Sequence, residues 1–178
     1  MPATLRRARA LALALAGLGL TASTLSTLPA TAASAEPAAA APTTAAKKPT
    51  PRQRVATRVL SARDTAMRQR GDWYAYGASG PARFDCSGLV YYSFRRAGFP
   101  VPRTSSAQAG FARRIAKADM RPGDLMFFYG SGGVYHAAIF LRWSRGHALM
   151  VHSPGSGQRV QVAVPWTSQW FGGTLRRR

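Results

Sequence analysis

Cys86 is the only cysteine in a chain of 178 residues, and it stands in the run Phe84-Asp85-Cys86-Ser87-Gly88-Leu89. The residues that follow put Leu89, Val90, Phe94 and Ala97 on one face of a helix, with Arg95 and Arg96 opposite and Gly98 as a stop. Asp85 is then a natural N-cap, and Cys86 falls in the first turn beside unpaired backbone N–H groups. A thiol so placed needs a base to take its proton, and the rest of the chain must supply one. A lone cysteine also excludes an intramolecular disulfide, a Cys-rich zinc finger and an iron–sulfur cluster.

Residues 1–35 read as a secretory signal peptide. Arg6, Arg7 and Arg9 precede the apolar run Leu11–Leu20, and Ala33-Ser34-Ala35 offers a cleavage site before Glu36. That run is too short for a stable membrane span, which needs roughly 20 apolar residues. Residues 36–51 are rich in Ala, Pro and Thr and are expected to form a disordered linker. The folded domain is expected over residues 52–175. It opens with a helix from Arg52 whose stripe is Val55, Val59, Ala62 and Ala66 and which ends at Gly71.

Gly71–Gly80 is a loop carrying Trp73, Tyr74 and Tyr76 between glycines. Beyond the Cys86 helix, Pro100 and Pro102 hold the chain extended, and Thr104 or Ser105 caps a short helix through Gln108 to Phe111. A basic stretch (Arg113, Arg114, Lys117) and a turn at Arg121-Pro122-Gly123-Asp124 follow. Strands are expected at Leu125–Tyr129, Val134–Arg142, His147–Ser153 and Arg159–Val164, with Gly130–Gly133 a flexible loop. Trp166, Trp170 and Phe171 pack the end of the chain back on the domain. Helices followed by an antiparallel meander make an α+β domain.

The thiol's partner follows from the second hairpin. A turn centred on Ser144 pairs residue i with 288−i, which sets His136 across from His152 on one face, with Ala137, Ile139 and Leu141 on the other. Small Ala137 and Ala138 leave room for a helix to approach. One imidazole would take the thiol proton and the other would fix the first ring's tautomer and rotation. His147 lies at the mouth of the turn and reads as a surface residue. The rival use of Cys86, His136 and His152 is a zinc site, but an exported site of one cysteine and two histidines is less expected than a thiol–imidazole pair, and neither metal nor cofactor is expected. The Cys86 N–H and a phenol, from Tyr74 or Tyr76, are candidate oxyanion donors.

The 25 Lys and Arg against 6 Asp and Glu give a formal charge of +19, and setting aside Arg6, Arg7 and Arg9 still leaves about +16. Such a protein is drawn to polyanionic surroundings, an attraction expected to fade above about 0.15 M salt. An exported chain makes anionic wall polymers a better partner than nucleic acid.

The chain resembles the NlpC/P60 family of bacterial cell-wall peptidases, relatives of the papain-like cysteine peptidases. The likeness rests on Gly71-Asp72-Trp73-Tyr74-Ala75-Tyr76-Gly77, Phe84 to Val90, Val101-Pro102-Arg103 with Gln108, Pro122 to Phe128, His136 to Phe140 and Met150-Val151-His152. The resemblance implies a papain-like domain with N-terminal helices packed on an antiparallel sheet. It implies Cys86 as nucleophile, His136 as base, His152 as the residue orienting it, Tyr74 as the oxyanion phenol, and Asp85 and Ser87 in support. It further implies a secreted or wall-associated, monomeric endopeptidase acting without metal on peptidoglycan stem peptides, often between D-glutamate and a diamino acid. An amidase or acyltransferase on the same fold, or a basic wall-binding protein without turnover, is the alternative. The chain departs from many members in having Gly77-Ala78 for Gly-Gly, in the 16-residue separation of the two histidines, and in carrying only a short tether.

Overall fold

The computed structural model describes residues 47–176; the expected signal peptide and residues 36–46 of the expected linker lie outside them. The first helix, α1 (Pro51–Arg68), begins one residue earlier than its periodicity suggests. Thr50 is its N-cap in a capping box with Gln53, and Pro51 fits the first turn, where no N–H is needed. Gln69 caps the other end, two residues short of Gly71. Val59, Ala62 and Ala66 are buried as the stripe requires, while Val55 is partly buried.

Two short parallel strands, β1 (Trp73–Tyr74) and β2 (Arg83–Phe84), flank the aromatic loop. Helices α2 (Cys86–Arg96) and α3 (Ser105–Phe111) follow, the latter capped by Thr104. The remaining strands are β3 (Arg113–Ile115), β4 (Leu125–Gly130), β5 (Gly133–Ser144), β6 (His147–His152), β7 (Gln161–Ala163) and β8 (Trp170–Thr174). They form an antiparallel sheet in the order β3-β8-β4-β5-β6-β7. The architecture is α+β, and among the described residues no helix is long and apolar enough to cross a membrane.

The sheet corrects the expected meander in two places. The basic stretch at Arg113 is a strand, and the terminal aromatics do more than cover the domain, because β8 inserts between β3 and β4. Nor is Gly130–Gly133 a loose loop: Gly130 pairs with Gly133, closing a tight two-residue turn.

The sheet separates two apolar clusters. One holds Val59, Ala62, Leu89, Val90 and Phe94 of the helices against Phe127, Ala137, Ile139 and Val151. The other, on the far face, contains Met126, Phe128, Ala138, Phe140, Met150 and Trp170. Gly123 joins α1 to the sheet. It lies at φ +89°, and its backbone bonds Phe140 through a 2.8 Å N–H···O contact. A Cβ there would sit 2.7 Å from Val59 Cγ1 and 2.9 Å from the Val59 carbonyl oxygen.

Gly123→Ala adds left-handed backbone strain to an overlap with a helix that cannot give way. It is expected to cost about 3 kcal/mol, read as a fall in the urea midpoint at unchanged slope.

Candidate functional site

Helix α2 is started by Asp85, whose Oδ1 accepts from the Gly88 N–H at 2.6 Å, a cap worth roughly 1 kcal/mol. The same carboxylate also organises the loop before it. Its Oδ2 accepts from the Gly77 N–H at 2.9 Å, and the Ser87 hydroxyl reaches Oδ1 at 3.2 Å. Arg103 closes on Asp85 with both arms of its guanidinium, Nη1 to Oδ1 at 3.0 Å and Nη2 to Oδ2 at 2.6 Å. It also donates to Ser87 Oγ and the Ala78 carbonyl. The backbone is so close there that a Cβ on Gly88 would lie 2.0 Å from the Ala78 oxygen. Gln108, fully buried, donates to the Ser87 and Pro102 carbonyls and fixes α3 against the start of α2.

Cys86, a free thiol of intermediate exposure, opens into a cleft of about 490 Å³. Tyr74, Tyr76, Asp85, Ser87, Arg103 and Tyr135 are among its walls. Tyr74 is partly buried, whereas Tyr76 is 91% exposed. Burial raises the Tyr74 phenol above its ordinary value, so it stays protonated as a donor.

The two histidines come together, though not through the expected register. The β5–β6 turn is a two-residue one at Arg145-Gly146, both at positive φ (49° and 78°), and Ser144 pairs with His147. Carried inward unchanged, that register would put the imidazoles on opposite faces. Leu141, however, is an extra residue: Arg142 pairs with Leu149 but Phe140 pairs with Met150. Beyond this bulge Ile139 pairs with Val151, so His152 shares a face with His136 as a diagonal neighbour rather than a direct one. His136 Nε2 and His152 Nδ1 are 3.0 Å apart. His147 sits exposed beside the turn, as expected.

The imidazoles lie on the far face in line with Ala138 and Met150, so the thiol meets β5 at its edge instead of over that face. The β6 ladder on that edge starts only at Ile139, and the Ala137 N–H, next to His136, is directed at the Cys86 sulfur. After β6, the Ser153 hydroxyl donates to the Phe84 carbonyl at 2.7 Å, which ties the strand carrying His152 to the segment before Cys86. His136 is 5% exposed and is not part of the cleft wall, although its neighbours Val134 and Tyr135 are. Among the described residues its hydrogen bond runs to His152, and none joins either imidazole to the thiol. Nor does any set of three or more His, Cys, Asp or Glu residues converge in a metal-holding arrangement among the described residues, so the three ligands considered for zinc do not assemble.

Trp166 completes the site. Its ring stacks on Phe128 at 4.5 Å between centroids and lies 5.1 Å from His136 and 5.7 Å from His152. Burial pushes His136 down to about 3, helped by His152 and opposed by the Asp85 carboxylate, and burial alone pushes His152 down to about 4. The thiol departs from the sequence expectation. Burial raises Cys86, Asp85 reinforces the rise, and the N–H groups of Ala137, Ser87 and Cys86 itself only partly offset it. The resting pair is a neutral thiol and a neutral imidazole, not a thiolate and an imidazolium.

A family model described as NlpC/P60 matches residues 71–177. The chain belongs to that family. A Mycobacterium tuberculosis protein named "Probable endopeptidase Rv2190c" is 42% identical over 103 residues, which are 58% of this chain and 25% of that protein. This NlpC/P60 chain thus matches about a quarter of that relative's length. The peptidoglycan hydrolase RipB from Mycobacterium tuberculosis superposes with a TM-score of 0.62 at 28% identity, over 72% of this chain and 70% of that one. RipD from the same organism, described as a non-catalytic NlpC/p60 domain protein adapted to peptidoglycan binding, shares the fold at a TM-score of 0.55 and 24% identity, over 66% of this chain and 97% of that one.

Two residues that matter to the site carried little signal in the sequence. Arg103 stands out in the sequence only within the run Val101-Pro102-Arg103 that carries the family likeness, with no role of its own. Trp166 looked like one more terminal aromatic.

The imidazole values predict acid sensitivity. Histidines in the unfolded chain take up protons near pH 6.5, while these two stay neutral in the fold down to about 4 and about 3. Between those limits the unfolded state binds more protons, so stability is full above pH 6.5 and falls as pH drops toward the folded values. The thermal midpoint is expected to decline from pH 7 to 4, and to decline less in the His136→Asn/His152→Asn double variant. Trp166→Ala, by admitting water, is expected to raise both imidazoles toward ordinary histidine, followed by NMR titration of the ring protons; unmoved values would mean that Trp166 is not the shield.

Proposed function

We propose that this NlpC/P60 chain is an exported cysteine endopeptidase that hydrolyses peptidoglycan stem peptides, at the bond between D-glutamate and a diamino acid. The observation carrying this reading is the 3.0 Å contact between His136 Nε2 and His152 Nδ1, on a strand whose Ala137 N–H faces the Cys86 sulfur. If His136 donates from Nε2 to His152, its Nδ1 is bare, and that nitrogen can act as a base. In the same tautomer His152 carries its proton on Nε2, a buried nitrogen with no partner among the described residues.

In this mechanism Cys86 Sγ attacks the scissile carbonyl as its proton passes to His136 Nδ1. The oxyanion is held by the Cys86 N–H and the Tyr74 hydroxyl. Collapse breaks the C–N bond, and the proton on His136 goes to the departing amine. Water, deprotonated by the same ring, then cleaves the thioester and restores the thiol. Proton transfer accompanies attack because neither partner is charged at rest. His152 keeps the ring in register, while Asp85, Ser87 and Arg103 hold the start of α2.

The fold-level likeness to RipD makes binding without turnover the reading to test against. Mass spectrometry of muropeptides treated with wild type and variants separates them. Cys86→Ala and His136→Ala are each expected to lose roughly a thousandfold in rate while staying folded. His152→Ala is expected to lose on the order of a hundredfold, since it removes orientation and not the proton acceptor. Full activity in Cys86→Ala removes the proposal, and a cut at the lactyl amide would make the chain an amidase.

A further inference from the structure

Behind the cleft, two adjoining cavities of about 620 and 520 Å³ open between α1, β3 and the end of β8. They share Arg113, Thr174 and Arg176, and no residue lining either one lines the Cys86 cleft. Arg58 lines the first cavity, and Arg52 and Arg121 line the second. Five guanidiniums therefore border one continuous surface.

The fold accounts for two of them. Arg176 pairs with buried Asp124 and donates to the Pro122 carbonyl at 2.7 Å. Arg58 donates to the Ala97 carbonyl at 2.7 Å and to that of Gly98, and lies 4.4 Å over the Phe99 ring. Arg52, Arg113 and Arg121 have exposed side chains with no hydrogen bond or ion pair among the described residues. With Asp124 matched by Arg176, the carboxylate left to face the other four arginines is Asp119. Gathering like charges costs stability through self-repulsion, so folding gives no reason for the cluster.

We infer that this surface is a second binding site, for a linear polymer whose phosphodiesters are separated by uncharged carbon units. All its cations are guanidiniums, whose planar forks grip phosphate oxygens in pairs, and no lysine lines either cavity. Beside them Val55, Phe99 and Phe111 form an apolar wall, suited to the uncharged spacer between two phosphates. The side chains of Arg52, Arg113 and Arg121 make no internal hydrogen bond among the described residues, so their forks stand open to phosphate oxygens. The inference does not depend on Cys86 chemistry, since the two surfaces share no residue.

The test titrates synthetic poly(glycerol phosphate) into the full chain by calorimetry at low and high salt, with poly(glutamate) of matched length as the carboxylate probe. The Arg52→Gln/Arg113→Gln/Arg121→Gln variant is expected to bind poly(glycerol phosphate) about tenfold more weakly, with a thermal midpoint equal to or above that of wild type, as relief of self-repulsion requires, and unchanged release of soluble muropeptides. An Arg83→Gln/Arg95→Gln/Arg142→Gln variant, with equal charge removed elsewhere, is expected to bind like wild type. Equal loss in both variants would mean diffuse attraction and would overturn the site. Binding of poly(glutamate) as tight as that of the phosphate polymer would overturn the ligand assignment. Should the triple variant fold poorly, Arg113→Gln alone, shared by both cavities, is expected to show a smaller loss in the same direction, and wild-type affinity in it would overturn the site.

Discussion

The carboxylate of Asp85 ties together three parts of the chain. It caps α2 through Gly88, fixes the aromatic loop through Gly77 and pairs with Arg103 at the entrance to α3. An ion pair with one side this buried gains little over apolar packing when it is intact, but breaking it leaves a carboxylate stranded. That asymmetry makes the start of α2 rigid. The direction of the Cys86 side chain depends on that rigidity, because the sulfur is placed by backbone geometry and not by any bond of its own to an imidazole.

Burial explains why the site rests uncharged. A helix start favours the thiolate, and three N–H groups press in that direction, yet desolvation outweighs them. The same effect acts on the histidines beneath Trp166. Water exclusion thus sets the ionisation of both partners, and the local dipoles only modulate it. In the mechanism proposed above, the Cys86 proton therefore moves only as attack begins, because neither partner is charged at rest.

What the sequence made legible was local. Capping by Asp85, the helical stripe after it and the place of Cys86 in the first turn follow from neighbours a few residues apart, and the structure has each of them. The pairing of His136 with His152 was foreseen for an incomplete reason. The expected turn and the observed one differ, and the two faces agree only because Leu141 adds a residue that no pattern announces. The strands at Arg113 and Trp170 were missed because their pairing is with distant chain, and Trp170-Phe171-Gly172-Gly173-Thr174 lacks the alternation that marks a half-buried strand. The direction of the thiol's shift was also out of reach, since it depends on how deeply the whole domain covers one atom.

The Leu141 bulge gives the β5–β6 hairpin a parity rule. Any insertion or deletion between the two histidines that changes the paired length by one must be matched by gaining or losing a bulge, or one ring leaves the other's side of the sheet. Changes by two are tolerated without compensation. The spacing of this pair across relatives should therefore drift freely in even steps, while each odd step should add or remove a kink in the strand.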